Sequence, residues 1–243
     1  MSMLDWLYGL QSAGIKLGLE NMRRLLAELP TPRTPPLTIH VAGTNGKGSV
    51  CAFMDAIARA HGLKTGLFTS PHLVHFQERI RVNGETIPDK DMDRWLSHLR
   101  EIVSDWDPHP SFFEITLALA IAHFYEQQIE CLLLETGLGG RLDATNALEP
   151  RHVSVITPIH YDHTHILGKT LDAIAREKAG IFRAGIPIVS ALQLPEAERA
   201  LKQAADAIQA PIRFVRAPYE GKLSLAGQHQ RDNAALAITA FES

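Results

Sequence analysis

The segment that most constrains the fold is Val41-Ala42-Gly43-Thr44-Asn45-Gly46-Lys47-Gly48-Ser49. A short apolar run over residues 37–42, with β-branched members, leads into it and reads as a buried strand. Residues 49–61 follow as a helix that stops at Gly62, a residue suited to the C-cap position. Strand, glycine turn and helix in direct succession form one unit of an alternating α/β chain.

The rest of the sequence continues the alternation. Residues 4–29 carry apolar side chains at helical spacing, with Leu19, Met22, Leu25, Leu26 and Leu29 on one stripe, and Pro30, Pro32, Pro35 and Pro36 end it. Residues 65–69, 130–134, 153–157 and 187–190 read as strands, and residues 89–103, 112–127, 170–181, 194–208 and 232–241 as helices. Asn83-Gly84 joins residues 79–82 to 85–87 as a two-residue hairpin. The pattern predicts an α/β fold, a mostly parallel sheet with helices on both faces. Residues 1–243 are expected to form one domain, to which the helix of about residues 1–30 contributes. The apolar helix 232–241 stops at Ser243, so an uncovered apolar face is expected there, and the chain reads as a fragment.

Composition narrows the function classes. An apolar fraction of 45% suits a packed core, and a formal net charge of -3 argues against a broad basic face for nucleic acid. Cys51 and Cys131 sit in apolar segments and read as small core residues. There is no basic start followed by an apolar run and no stretch long enough for a membrane span, so a soluble, cytoplasmic monomer is expected.

The glycine-rich loop carries the clearest chemistry. Glycines let backbone N–H groups approach phosphate oxygens, and the following helix N-terminus favours negative charge. Thr44, Asn45, Gly46, Lys47, Gly48 and Ser49 are the expected phosphate cradle, with Lys47 on the outer phosphates and the Ser49 hydroxyl facing a magnesium ion. Gly48 separates lysine from hydroxyl, which departs from the common phosphate loop. Glu135 ends a strand at the carboxyl edge of the sheet, where it is either a capping carboxylate or a hard ligand for magnesium. His160, His163 and His165 lie close together in sequence. Zinc is one reading; a single metal-facing His163 oriented by Asp162 is the other. Lys178 on its helix is by itself an ion-paired surface lysine, and Asn233 a helix cap.

The loop variant resembles that of the Mur ligase superfamily, most closely its folylpolyglutamate and dihydrofolate synthase branch. Further similar segments follow in order: Thr69-Ser70-Pro71-His72-Leu73, Glu78-Arg79-Ile80 before Asn83-Gly84, Phe112-Phe113-Glu114, residues 135–146, Asp162-His163, and Glu177-Lys178-Ala179-Gly180-Ile181. The resemblance implies a central Mur-ligase domain of phosphate-loop NTPase type. It also implies an ATP-dependent ligase that joins glutamate to a folate or dihydropteroate carboxylate through an acyl phosphate, with ATP and Mg2+. It places the metal on Ser49, Ser70, Glu135, His163 and a carbamylated Lys178, gives catalytic roles to Lys47, Lys178 and His163, and sets Asn233 on the adenine. It assigns the pterin end to Gly14, Ile15, Lys16 and Leu17, to Ser111, Phe112, Phe113 and Glu114, and to Leu142, Asp143 and Ala144. The family's second, C-terminal domain has no counterpart in the sequence given. Two alternatives stay open: a nucleotide- and folate-binding module inactive by itself, and a peptidoglycan-precursor ligase of the same superfamily.

Overall fold

The computed structural model describes residues 2–14, 16–30, 32 and 34–243. The chain begins with α1 (Met3–Gly9), a 3-10 turn (Leu10–Ala13) and α2 (Glu20–Glu28). Then come β1 (Leu37–Ala42), α3 (Lys47–Ala60), β2 (Thr65–Phe68), a 3-10 turn (Phe76–Arg79) and the hairpin β3 (Ile80–Val82) and β4 (Glu85–Thr86). The middle contains α4 (Asp89–Ile102), α5 (Phe112–Glu126), β5 (Cys131–Glu135), a 3-10 turn (Ala144–Ala147) and β6 (Val153–Ile156). The rest is α6 (Thr164–Leu167), α7 (Leu171–Ala179), β7 (Ile188–Ala191), α8 (Pro195–Ala207), β8 (Ile212–Val215) and α9 (His229–Phe241).

The described residues form one eight-stranded sheet in the order β4-β3-β2-β5-β1-β6-β7-β8. Pairing is parallel from β2 through β8 and antiparallel only where β3 joins β2 and β4, so the mostly parallel sheet expected from the sequence is what forms. The inner strands are apolar on both faces because both faces are covered. Cys131 and Leu133 of β5 enter the core built with α3 and α9, while Leu132 and Leu134 enter the core built with α4 and α5. Helix α5 is buried almost all round, from Glu114 to Phe124, as suits a central helix. Its start is fixed by a capping box: the Ser111 hydroxyl accepts from Glu114 N, and the Glu114 side chain accepts from Ser111 N.

Three features differ from the sequence reading. The helical stretch over residues 4–29 is broken: helical geometry ends at Gly14, with φ 71°, and resumes at Glu20. Strand β8 was not legible, because Arg213 interrupts its apolar run and as an edge strand it needs only one buried side. Helix α9 starts at His229, three residues earlier than expected, and its face is covered. Leu236, Ala237 and Ala240 are buried with α3, and the Phe241 ring stacks on His61 at 5.5 Å, so no open apolar face is left there.

β1 lies between β5 and β6, and the loops leaving the carboxyl ends of all three meet above it. Ligands of open α/β sheets bind at this edge. The loops are tied together by the main chain: Thr44 N and Asn45 N donate to Pro158 O at 3.0 and 3.3 Å. No helix among the described residues is long and apolar enough to cross a membrane.

Candidate active site

The loop after β1 is shaped by two close approaches. Gly46 is the N-cap of α3 with a left-handed φ of 87°, and the Asn233 side-chain amide occupies the space a Cβ would need. Gly43 lies against Thr157, whose buried Oγ1 has no partner among the described residues. No side chain caps α3, so the N–H groups of its first turn are free to meet an anion. Lys47, the first residue of α3, donates to Thr44 O at 3.2 Å and stands 4.0 Å from Glu135. The Ser49 hydroxyl accepts from Gln230 Nε2 at 3.3 Å.

Glu135 is 4% exposed at the end of β5 and accepts from Ser70 N at 3.1 Å. Burial lifts its carboxyl to about 7, against the pull of Lys47 and the Ser70 N–H. Lys178 is 3% exposed, with Nζ donating to Gly43 O at 2.8 Å. Burial, and then the charge of Lys47, bring its ammonium down to about 8. The lysine is therefore not the solvated ion-pair residue that its neighbours in sequence suggest; Glu177 pairs with Arg141 instead.

His163 is the N-cap of α6 and has a φ of 46°, an uncommon conformation for a residue with a Cβ. Asp162 lies 3.5 Å from its Nε2. Lys47, Ser70, Asp162, His163 and Lys178 share one cavity, with Glu135 behind Ser70. No three His, Cys, Asp or Glu side chains converge as a metal site among the described residues, which gives the zinc reading no support.

The cavity has a volume of about 580 Å³ and continues from the loop to an aromatic end. Gly14, Lys16, Leu17, Ser111, Phe112, Phe113, Glu114, Leu142, Asp143 and Ala144 all line it, while Ile15 lies outside the described residues. Not all of their polar groups face inward. Lys16 Nζ donates to His109 O, and Glu114 accepts from Ser111 N and Oγ at 2.8 and 2.7 Å. Asp143 accepts from Leu138 N at 2.7 Å and from Thr145 N and Oγ1 at 3.0 and 2.5 Å. Behind it, Thr145 meets the fully buried His40 of β1 at 2.8 Å.

Two positions resolve differently from the sequence alone. Asn233 is no cap: it lies inside α9, 5% exposed, with Nδ2 donating to Gln230 Oε1 at 3.0 Å and its other face against Gly46. Arg79 was visible only as part of a motif, yet it lines the cavity and is 7% exposed. Its signal in the sequence was an arginine beside a hairpin, which most often means a solvated charge.

Residues 41–216 match the Mur ligase middle domain. A dihydrofolate synthase/folylpolyglutamate synthase of Bacillus subtilis is 39% identical across 98% of this chain and 62% of its own length. The mitochondrial folylpolyglutamate synthase of Homo sapiens is 40% identical over 82% of this chain and 36% of its own. Among solved structures, a folylpolyglutamate synthase from Thermotoga maritima superposes with a TM-score of 0.87 at 32% identity, covering 99% of this chain and 61% of the other. E. coli FolC in complex with DHPP and ADP gives 0.84 at 33% identity, covering 100% and 62%. The chain thus spans no more than about three fifths of the length of these relatives. With the phosphate-type loop, the sheet order and most of the sequence in agreement, the chain belongs to the Mur ligase middle-domain family.

Proposed function

We propose that this chain is the nucleotide- and pteroyl-binding part of an ATP-dependent ligase that joins glutamate to a folate or dihydropteroate carboxylate. The observation that carries this reading is one continuous cavity. It has Gly43 and Lys47 at one end and Phe112, Phe113 and Asp143 at the other, so a phosphate donor and a flat aromatic acid could meet between them. The names of the relatives point the same way, and one related structure holds ADP together with DHPP.

The residues present suit magnesium. Glu135 is a buried carboxylate whose nearest cation is Lys47 at 4.0 Å, and Ser70 adds a hydroxyl beside it, both hard oxygen donors. Ser70, Glu135, His163, Ser49 and a carbamylated Lys178 would hold the ions, and bound magnesium would offset phosphate charge. The α3 N-terminus and loop amides from Thr44 to Ser49 would receive the phosphates of ATP, with Lys47 on the outermost. Asn233, packed on Gly46, would place the loop and reach the base. The chemistry is phosphorylation of the substrate carboxylate followed by attack of the glutamate amine, with ADP and phosphate released. The protein's part is chiefly to align the partners and to balance charge. A monomer in the cytoplasm is the setting that goes with this reading.

Titration with an ATP analogue, with dihydropteroate, and with a uridine-diphosphate-linked peptide tests it. Binding of the nucleotide and the pteroyl acid, without the peptide, is the expected result. The reverse preference would move the chain to the peptidoglycan-precursor branch.

Lys178 gives a second expectation. Its Nζ is buried at the cavity, and burial favours the neutral amine that carbamylation requires. Protein incubated with isotopically labelled bicarbonate should show a carbamate resonance that disappears in Lys178→Ala. A spectrum with no carbamate signal at neutral pH, in magnesium and ATP, would return Lys178 to a purely structural role.

A further inference from the structure

Arg79 is a buried cation outside both the phosphate-type loop and the group of residues suited to magnesium. It ends the 3-10 turn at residues 76–79, is 7% exposed, and forms part of the cavity wall that holds Ser70, Pro71 and Phe112. Among the described residues no carboxylate lies within ion-pair distance of it, and the charge of the buried Glu135 acts on it only from farther off. The neighbouring Glu78 is occupied elsewhere: it accepts from Leu73 N, Val74 N and His75 N at 2.8, 3.1 and 2.8 Å, clamping the loop in front of it. A guanidinium withdrawn from water without an anion is costly, so a site that retains one is built to receive an anion.

Its surroundings fix its direction. Nε donates to His72 Nδ1 at 2.8 Å, and this is the one side-chain hydrogen bond the guanidinium makes among the described residues. That bond uses His72 Nδ1 as the acceptor nitrogen. The guanidinium carbon lies 5.4 Å from the centre of the Phe112 ring and 6.0 Å from that of Phe76, so two aromatic faces hold the fork in place. The two terminal nitrogens are left without an acceptor among the described residues. A planar fork of N–H donors matches a carboxylate, and Arg79 shares the cavity wall with Lys47 of the phosphate-type loop and with Phe112, so the carboxylate of an aromatic acid held there would come within its reach.

We propose that Arg79, aimed by His72, binds the carboxylate of the aromatic acid substrate and so selects for an anionic acceptor. This rests on the pteroyl reading for the identity of the acid, and not for its charge. Carboxylate recognition by Arg79 then explains why a motif arginine is buried beside Phe112 and Phe76, where an apolar residue would pack at lower cost.

The test compares dihydropteroate, its analogue lacking the carboxyl group, and para-aminobenzoate, on the native chain and on Arg79→Gln, Arg79→Lys and His72→Phe. Binding is read by calorimetry, with thermal melts as a check on folding. In the native chain the carboxyl group should improve affinity by about tenfold or more. In Arg79→Gln that advantage should vanish while the analogue binds as before; Arg79→Lys should keep part of it, and His72→Phe should reduce it. If the advantage survives in a folded Arg79→Gln, or if the analogue is lost in equal proportion, the proposal is overturned. If Arg79→Gln does not fold, Arg79→Lys decides: an undiminished carboxylate advantage there rejects fork recognition. Arg79-dependent binding of para-aminobenzoate without binding of dihydropteroate would overturn the pteroyl reading and keep the role of Arg79. Failure of every carboxylate to bind the native chain would overturn both.

Discussion

Lys47→Ala is expected to weaken binding of ATP by about a hundredfold, the loss that follows when a charge-assisted contact to an outer phosphate is removed. The fold should survive. Lys47 is partly exposed, and its polar side-chain contacts among the described residues are the Thr44 carbonyl and a 4.0 Å approach to Glu135. Its charge acts on two buried groups in opposite senses: it favours ionised Glu135 and disfavours protonated Lys178. Removing it penalises the first and relieves the second, so the effects on stability partly offset each other. Alanine is also a better helix former at the start of α3. Calorimetric titration with a non-hydrolysable ATP analogue, beside a thermal melt, measures both. An unchanged affinity in a folded variant would remove the phosphate role from this lysine.

The second large effect concerns Glu135 and pH. Its carboxyl is lifted from 4.5 to about 7 by burial, so between those values the folded chain binds a proton that the unfolded chain has released. The stability contributed by this group is therefore complete below about pH 4.5 and is lost as pH rises through about 7. A shift of that size corresponds to about 3 kcal/mol. Glu135→Gln keeps the shape without the buried charge. It should stabilise the ligand-free chain by roughly 1–3 kcal/mol at about pH 8 and change little at about pH 5. Urea unfolding at the two pH values measures the difference, and an equal effect at both would show that buried charge is not the cause. The same variant should lose magnesium-dependent nucleotide binding, because the carboxylate that costs stability is the one that suits the metal. Lys178 works in a separate window. Its ammonium is brought from 10.5 down to about 8, so the stability it contributes rises between those values and does not confuse the comparison.

Much of this molecule can be read from its sequence because the relevant signals are local. Hydrophobic period and glycine position are properties of neighbouring residues, and β1, the loop from Gly43 to Ser49, α3 and the Asn83-Gly84 hairpin follow from them. Where local signals were weak, the reading failed: the break between α1 and α2, and the edge strand β8, each owe their form to what packs beside them. The candidate site divides in the same way. Residue types suited to phosphate and metal could be named from sequence, but their electrostatic state could not, since charge cost depends on burial. Lys178 reads as an ordinary surface charge, and Glu135 as a cap or a ligand, until the sheet and α7 enclose them. The sequence alone determined the alternating architecture and the phosphate-type loop. Only the tertiary structure decided that Asn233 closes on Gly46, that Lys178 reaches the Gly43 carbonyl, and that Arg79 faces the cavity with no carboxylate in ion-pair distance among the described residues. Those facts depend on side chains far apart in the chain being brought within a few ångströms, and no periodicity or spacing along a sequence records such meetings.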